Sequence, residues 1–264
     1  MGRIICIANQ KGGVGKTTTA VNLSASLALA NHSTLLVDVD PQGSATSGVG
    51  LNPRALSTTV YDVLIGGQPA ASAIQATAIE SLSALPANRE LIGAEIELVP
   101  MLAREHRLTE ALRSVRDSYS HILIDCPPSL GLLTVNAMTA ADSILVPLQC
   151  EYYALEGLTA LMETVDLIRQ RLNPGLYVEG LLLTMFDTRN SLSHQVAIEV
   201  RSHFPEQTLT TVIPRNVRLS ESPSHGMPAV LYDPESRGAE AYFELARELV
   251  SRHSKRSIVH AEGG

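Results

Sequence analysis

Apolar residues arrive in short unbroken runs of strand length, separated by longer stretches in which they recur at helical spacing. Residues 4–8, 34–40, 121–125, 143–147, 178–186 and 209–213 are the runs, and several end in or just before a polar residue. Runs without polar alternation suit strands covered on both faces, as in a parallel sheet. Residues 16–28, 102–117, 132–141, 193–204 and 236–252 carry helical spacing, and so do residues 151–172, which Asn173-Pro174-Gly175 ends. Residues 60–65 read as a short helix stopped by Gly66-Gly67, whereas 82–86 and 96–100 have strand character. Strands alternating with helices predict an α/β fold: a twisted, mainly parallel sheet with helices on both faces. No internal repeat or low-complexity block marks a boundary, so a single domain is expected, with a flexible tail over about 253–264.

The first strand-to-helix passage reads Gln10-Lys11-Gly12-Gly13-Val14-Gly15-Lys16-Thr17-Thr18-Thr19. Three glycines let the backbone curl until its N–H groups point at one spot, and the helix N-terminus adds its positive end there. Lys16 then reaches the β- and γ-phosphates of a nucleotide and the Thr17 hydroxyl holds Mg²⁺, which makes the fold P-loop NTPase-like. Residues Gly12, Gly13, Val14, Gly15, Lys16, Thr17 and Thr18 are the expected nucleotide-binding set. A tight turn alone would explain the glycines but not the Lys-Thr pair.

Two acids end strands. Asp40 is placed to face the phosphates, since ligands in such sheets bind beyond the strands' carboxyl ends; an Asx-turn or helix cap is the alternative. Asp125 ends an apolar run and is followed by Cys126-Pro127-Pro128, the pattern of a carboxylate that orients the Mg²⁺ ligand sphere. The polar loop 214–226 follows the last strand and can receive a base.

Charge and composition change this picture in three places. The chain has 264 residues, 45% of them apolar, enough for one sizeable core. It has three lysines, Lys11, Lys16 and Lys255, against seventeen arginines, and two of the three flank the glycines, where a compact ammonium fits better than a guanidinium. Net charge is −7, yet residues 189–256 carry nine basic and eight acidic residues, so any nucleic-acid face belongs in the C-terminal third. Three cysteines cannot all pair and no C-x-x-C occurs, so buried thiols in a reducing cytosol are expected. No run approaches the ~18 apolar residues of a membrane span.

These segments resemble the ParA/MinD ATPases. KGGVGKTT is similar to their deviant Walker A signature, VDVDPQ to switch I and DCPPS to switch II, while TMFDTR and IPRNVRLSESPSHG resemble the Soj-type ParA pattern. The resemblance implies an ATP- and Mg²⁺-dependent ATPase that closes as a homodimer over two nucleotides, with Lys11 reaching the partner's nucleotide and Asp40 positioning the attacking water. Lys11, Lys16 and Asp40 are then catalytic, and Thr17 and Asp125 hold the metal. Met185 is expected against the adenine ring, with Pro214, Arg215 and Asn216 around it. Arg189 and Arg218 are expected on non-specific double-stranded DNA. Arg247, Arg252 and Lys255 on the last helix are either a second DNA contact or ordinary favourable charge at a helix C-terminus. A ParB-like protein is the expected stimulating partner in cytoplasmic, nucleoid-associated partition of a chromosome or plasmid. A MinD-like or orphan ParA-like ATPase working on a membrane or another cargo is the alternative, and an amide or cobalt-ring synthase on the same scaffold is a more distant one.

Overall fold

A computed structural model describes residues 2–152 and 154–262, with side chains as far as Ser254. Its strands are β1 (Arg3–Ile7), β2 (Thr34–Asp38), β3 (Gln75–Ala76), β4 (Leu82–Leu85), β5 (His121–Asp125), β6 (Ser143–Gln149), β7 (Tyr177–Phe186) and β8 (Thr208–Pro214). The helices are α1 (Lys16–Leu29), α2 (Ser44–Gly48), α3 (Val60–Leu64), α4 (Ala70–Ala73), α5 (Leu91–Glu97), α6 (Arg107–Arg113), α7 (Leu132–Ala140), α8 (Ala154–Arg171), α9 (Ser191–His203), α10 (Val217–Glu221), α11 (Ala229–Tyr232) and α12 (Arg237–Glu262). All strands form one sheet in the order β3-β4-β2-β5-β1-β6-β7-β8, and only the β3–β4 pairing is antiparallel.

The unbroken apolar runs are explained by a core on each side. Successive strand side chains point to opposite faces. Ile5 and Ile7 of β1 therefore join Leu36, Leu123, Leu145 and Leu182 beneath α1 and α12. Ile4 and Cys6 join Leu35, Val37, Ile122 and Ile124 beneath α3 and α5 to α9. Each fully buried leucine stabilises the fold by roughly 2 kcal/mol relative to an exposed one. Tyr242 of α12 is fully buried, and its hydroxyl meets Thr19 Oγ1 of α1 at 3.2 Å, joining the two helices of one face.

Three expectations are corrected. Residues 96–100 are not a strand: Leu91, Ala94 and Leu98 lie at helical spacing and are fully buried, so burying them on α5 outweighs the β-branched character of Ile96 and Val99. The stretch 102–117 is broken into two single 3₁₀ turns around α6, beginning with Ala103 at φ 50°. The last helix runs to Glu262 rather than to Arg252. The tail expected over about 253–264 falls largely on side chains outside the described residues, and so does Lys255.

Parallel register sets up the site. Ile7 of β1 and Asp38 of β2 both pair with Asp125 of β5, so three central strands end level with one another.

Candidate functional site

Beyond that level edge, β1 turns into the glycine-rich loop. Gly13 sits at φ 75° and Gly15, the N-cap of α1, at φ 92°; a side chain would be strained at either position. No side chain caps α1, which leaves its first N–H groups facing the cavity in front of it. The loop is pinned from the neighbouring strands. Asn9 Nδ2 donates to Pro147 O at 2.8 Å while its Oδ1 accepts from Lys11 N at 3.0 Å. The Thr184 hydroxyl donates to Val14 O at 2.8 Å. Lys16 is buried and its ammonium donates to Lys11 O at 2.9 Å. Burial pushes its pKa down, against the pull of Asp125, Cys126 and Asp40.

Gly12, Gly13, Gly15, Lys16, Thr17, Thr18, Asp40, Pro128 and Met185 line a cavity of about 420 Å³. Asp125 is fully buried behind it, and both its carboxylate oxygens lack a hydrogen-bond partner among the described residues. Burial first, and the charge of Asp38 second, hold its pKa well above the carboxylate range; the nearby Thr17 hydroxyl pulls it down without making a hydrogen bond of normal geometry. An orphaned buried carboxylate beside a threonine hydroxyl fits a hard divalent cation, which takes one or two protein oxygens and completes its shell with phosphate and water. No cluster of three or more His, Cys, Asp or Glu able to hold a metal occurs among the described residues, so a structural zinc site is not what the acids build.

Asp40 is both bonded locally and turned to the cavity. Its Oδ1 accepts from Gln42 N at 2.9 Å, an Asx-turn, and the same side chain lines the cavity with Lys16. Asp38, by contrast, went unassigned in the sequence. It is buried, takes Thr46 N and Thr46 Oγ1 on one oxygen at 2.8 and 2.7 Å, and takes Asp40 N on the other at 3.1 Å. Burial raises its pKa to about 6 against the pull of those Thr46 bonds. The available signal was a charged residue inside a run read as fully buried. Thr46 Oγ1 in turn accepts from Ala87 N at 2.9 Å, tying the exit of β4 to this carboxylate.

A second cavity, about 190 Å³, shares Gly15, Thr18 and Met185 with the first and adds Pro214, Arg215 and Asn216. Met185 is held at φ 51°, a left-handed backbone rare for a non-glycine residue and frequent at binding sites. Asn216 spends its Oδ1 on Arg218 N at 2.8 Å as the N-cap of α10, so its amide N–H₂ and the neighbouring backbone remain for a base. The two cavities adjoin, one beneath the glycine loop and Lys16 and the other between Met185 and residues 214–216.

Lys11 is brought to the lip of the site and not into it. Its ammonium pairs with Glu151 Oε2 at 2.6 Å, and Gln149 Nε2 holds the other oxygen of Glu151. The two side chains of that pair are 41% and 44% exposed. Glu151 was another residue the sequence left without a role.

The family model described as AAA domain matches residues 2–178. The sporulation initiation inhibitor protein Soj of Bacillus subtilis is 57% identical over 251 residues, which are 95% of this chain and 99% of that protein. The chain belongs to the ParA/Soj family of P-loop ATPases. The chromosome partitioning protein ParA of Myxococcus xanthus is 56% identical over 257 residues, 97% of this chain and 91% of its own. Among solved structures, the cobyrinic acid a,c-diamide synthase of Mycobacterium smegmatis with bound ATP analog and magnesium superposes with a TM-score of 0.84 at 38% identity, covering 97% of this chain and 96% of that one.

The arginines that the ParA/Soj resemblance put on DNA are less available than their sequence suggests. Arg189 is paired with Asp187 through Nε and NH2, at 3.1 and 3.0 Å. Arg218 is paired with Glu221 at 2.8 Å and with Asp233 at 2.9 Å. Arg252 is paired with Glu248 at 3.1 Å, whereas Arg215 and Arg247 are exposed. Asp187 and Glu221 lie two and three residues from their arginines along the chain, whereas Asp233 reaches Arg218 from a separate turn. The three cysteines are free and buried, and among the described residues no helix is long and apolar enough to cross a membrane.

Proposed function

We propose that this chain is an ATP-dependent dimeric switch for partition of a chromosome or plasmid, bound to DNA without sequence preference and stimulated by a ParB-like partner. The observation that supports it most is the joining of Lys16, Thr17 and Asp40 around one cavity in front of the orphaned Asp125, in a chain more than half identical to Soj. ATP would lie across the two adjoining cavities, its phosphates under residues 12–18 and its base between Met185 and residues 214–216. Thr17 and Asp125 would hold Mg²⁺, which neutralises phosphate charge when bound. Lys16 gives up its bond to Lys11 O in exchange for phosphate oxygens. Asp40, fixed by Gln42 N, orients water for attack on the γ-phosphate. Lys11 leaves Glu151 to reach the nucleotide of the second copy, where a cation stabilises developing phosphate charge. Hydrolysis then reopens the dimer.

Dimerisation doubles a small set of phosphate contacts on one body, which couples ATP to DNA without new chemistry. Arg189 and Arg218 would exchange their carboxylate partners for phosphates. That self-pairing favours, as second reading, a MinD-like or orphan ParA-like ATPase acting on a membrane or another cargo. Gel shifts with ATP at several salt concentrations, on two unrelated duplexes, test the proposal. Wild type should bind both equally, with a log–log salt slope of about −0.9 per phosphate neutralised, and Arg218→Glu should not bind. No DNA binding by wild type together with ATP-dependent liposome pelleting would move the conclusion to the second reading.

A further inference from the structure

The two long helices on one face of the sheet leave a groove that no described side chain fills. They are joined near their starts, where Tyr242 of α12 meets Thr19 of α1. Helix α1 then stops at Leu29. The N–H of Ala30 is bonded back to Ser26 O and Leu27 O, and Asn31 at φ 64° turns the chain away toward β2. Helix α12 runs on to Glu262. Small side chains line the gap from both sides, Ser26 and Ala30 at the end of α1 and Ala246 on α12. A cavity of about 400 Å³ remains, within the roughly 300–1,000 Å³ of small-molecule sites. It shares no lining residue with the two cavities around residues 12–18 and 214–216.

The walls are apolar and the mouth is cationic. Leu27, Leu29, Phe243 and Val250 supply the walls, and no acidic side chain lines the groove in a chain with 27 of them. Arg247 and Ser251, one turn apart on α12 and so on one face of it, are the exposed polar pair at its edge. Neither side chain has an ion pair or hydrogen bond among the described residues, whereas Arg189, Arg218 and Arg252 each hold a carboxylate. An unpartnered guanidinium above recessed apolar walls is complementary to an amphiphile with an anionic head.

Size and shape narrow the class further. Leu29, at 42%, is the one large hydrophobic of the groove that is exposed, so the apolar surface is sunk between the helices. A bilayer or a partner helix needs apolar side chains that stand out. A single alkyl chain entering end-on does not. At roughly 30 Å³ per methylene, close to the volume share of a water molecule, the cavity has room for about a dozen of them.

We propose that this groove binds a free fatty acid, its tail between Leu27, Leu29, Phe243 and Val250 and its carboxylate on Arg247 and Ser251. The proposal is independent of the nucleotide reading above.

The test is calorimetry on the full chain with the straight-chain carboxylates octanoate, decanoate, dodecanoate and tetradecanoate, below their micelle-forming concentrations and with ATP–Mg²⁺ in excess. Affinity should rise roughly tenfold for every two carbons and level off near dodecanoate, where the groove is full. Dodecanol should bind wild type more weakly than dodecanoate. Arg247→Gln should weaken dodecanoate by about fivefold, the most that an exposed ion pair contributes, and leave dodecanol unchanged. Ala30→Trp, which fills the groove from an exposed position, should abolish binding of both. The chain-length and head-group series are measured on wild type, so they decide even where a variant folds poorly. Affinity that ignores chain length, equal binding of dodecanol and dodecanoate, no binding at all, or binding that neither variant changes would each overturn the site. So would loss of dodecanoate when ATP–Mg²⁺ is added, because the tail would then lie in the base cavity. Pelleting with phosphatidylglycerol vesicles that Ala30→Trp abolishes, or self-association that it abolishes, would also overturn the proposal, since the occupant would be a bilayer or a second copy.

Discussion

Replacing Asp38 with asparagine should change how the nucleotide-free protein responds to pH more than how stable it is. Burial lifts the Asp38 carboxyl from an ordinary 3.8 to about 6. A carboxyl displaced that far favours its protonated form by about 3 kcal/mol on folding. The sign follows from proton counting. Between about pH 4 and 6 the folded protein holds a proton on this group that the unfolded chain has released, so stability falls as pH rises across that window and stays lower above it. The Asp38→Asn side chain cannot titrate, and the slope goes with it. The variant has its own cost: an amide oxygen can keep both Thr46 bonds, but its N–H₂ then faces Asp40 N, a donor against a donor worth about 1–3 kcal/mol. The two effects nearly cancel near neutrality, so the absolute difference at one pH says little. Urea unfolding of both proteins from pH 4.5 to 7.5, without nucleotide or Mg²⁺, isolates the charge. The variant should gain about 2 kcal/mol on wild type across that range, because part of the titration lies below it. A stability difference that does not vary with pH would mean that Asp38 is ionised throughout and that the carboxylates at the strand ends impose no strain that a cation could relieve.

Other expectations follow from the same geometry. Lys16→Ala should abolish ATP binding by calorimetry, since the buried ammonium is the one cation lining the phosphate-end cavity among the described residues; wild-type affinity would remove the phosphate-loop role. Lys11→Ala should leave nucleotide bound and, because its pair with Glu151 is half-exposed, alter stability by no more than about 1 kcal/mol. It should still weaken ATP-dependent dimers in light scattering, and normal dimers with normal turnover would reduce Lys11 to a loop charge. Asp40→Ala should trap the ATP-bound dimer and hold DNA longer, whereas unchanged turnover would leave Asp40 with its Asx-turn alone. His121 is the counterpart of Asp38 with the opposite sign. Burial drops its pKa from 6.5 to about 4, so its contribution is present above 6.5 and lost as pH falls toward 4, by up to about 3 kcal/mol. His121→Gln should flatten that acid loss in urea titrations, and an unchanged acid limb would show the imidazole to be accessible to protons.

Much of the fold was legible along the chain because its strands are covered on both faces: unbroken apolar runs such as Ile4-Ile5-Cys6-Ile7 mean little else between helices. The glycine loop with Lys16 and Thr17 and the strand-end Asp125 were equally plain, since their chemistry depends on local spacing and on which strand they end. Segment 96–100 was misread because Ile and Val favour strands locally, and only the burial of Leu91, Ala94 and Leu98 decides for a helix. Counter-charges were harder to see for a different reason. Glu151 meets Lys11 across 140 residues, and Asp233 meets Arg218 from a separate turn, so neither acid lies beside its partner along the chain. Asp38 shows the division within one residue. The sequence by itself determined that an acid ends β2 among apolar neighbours. Only the tertiary structure decided that parallel pairing would set it level with Asp125, out of water, where two carboxylates cannot both stay charged at low cost unless a cation joins them.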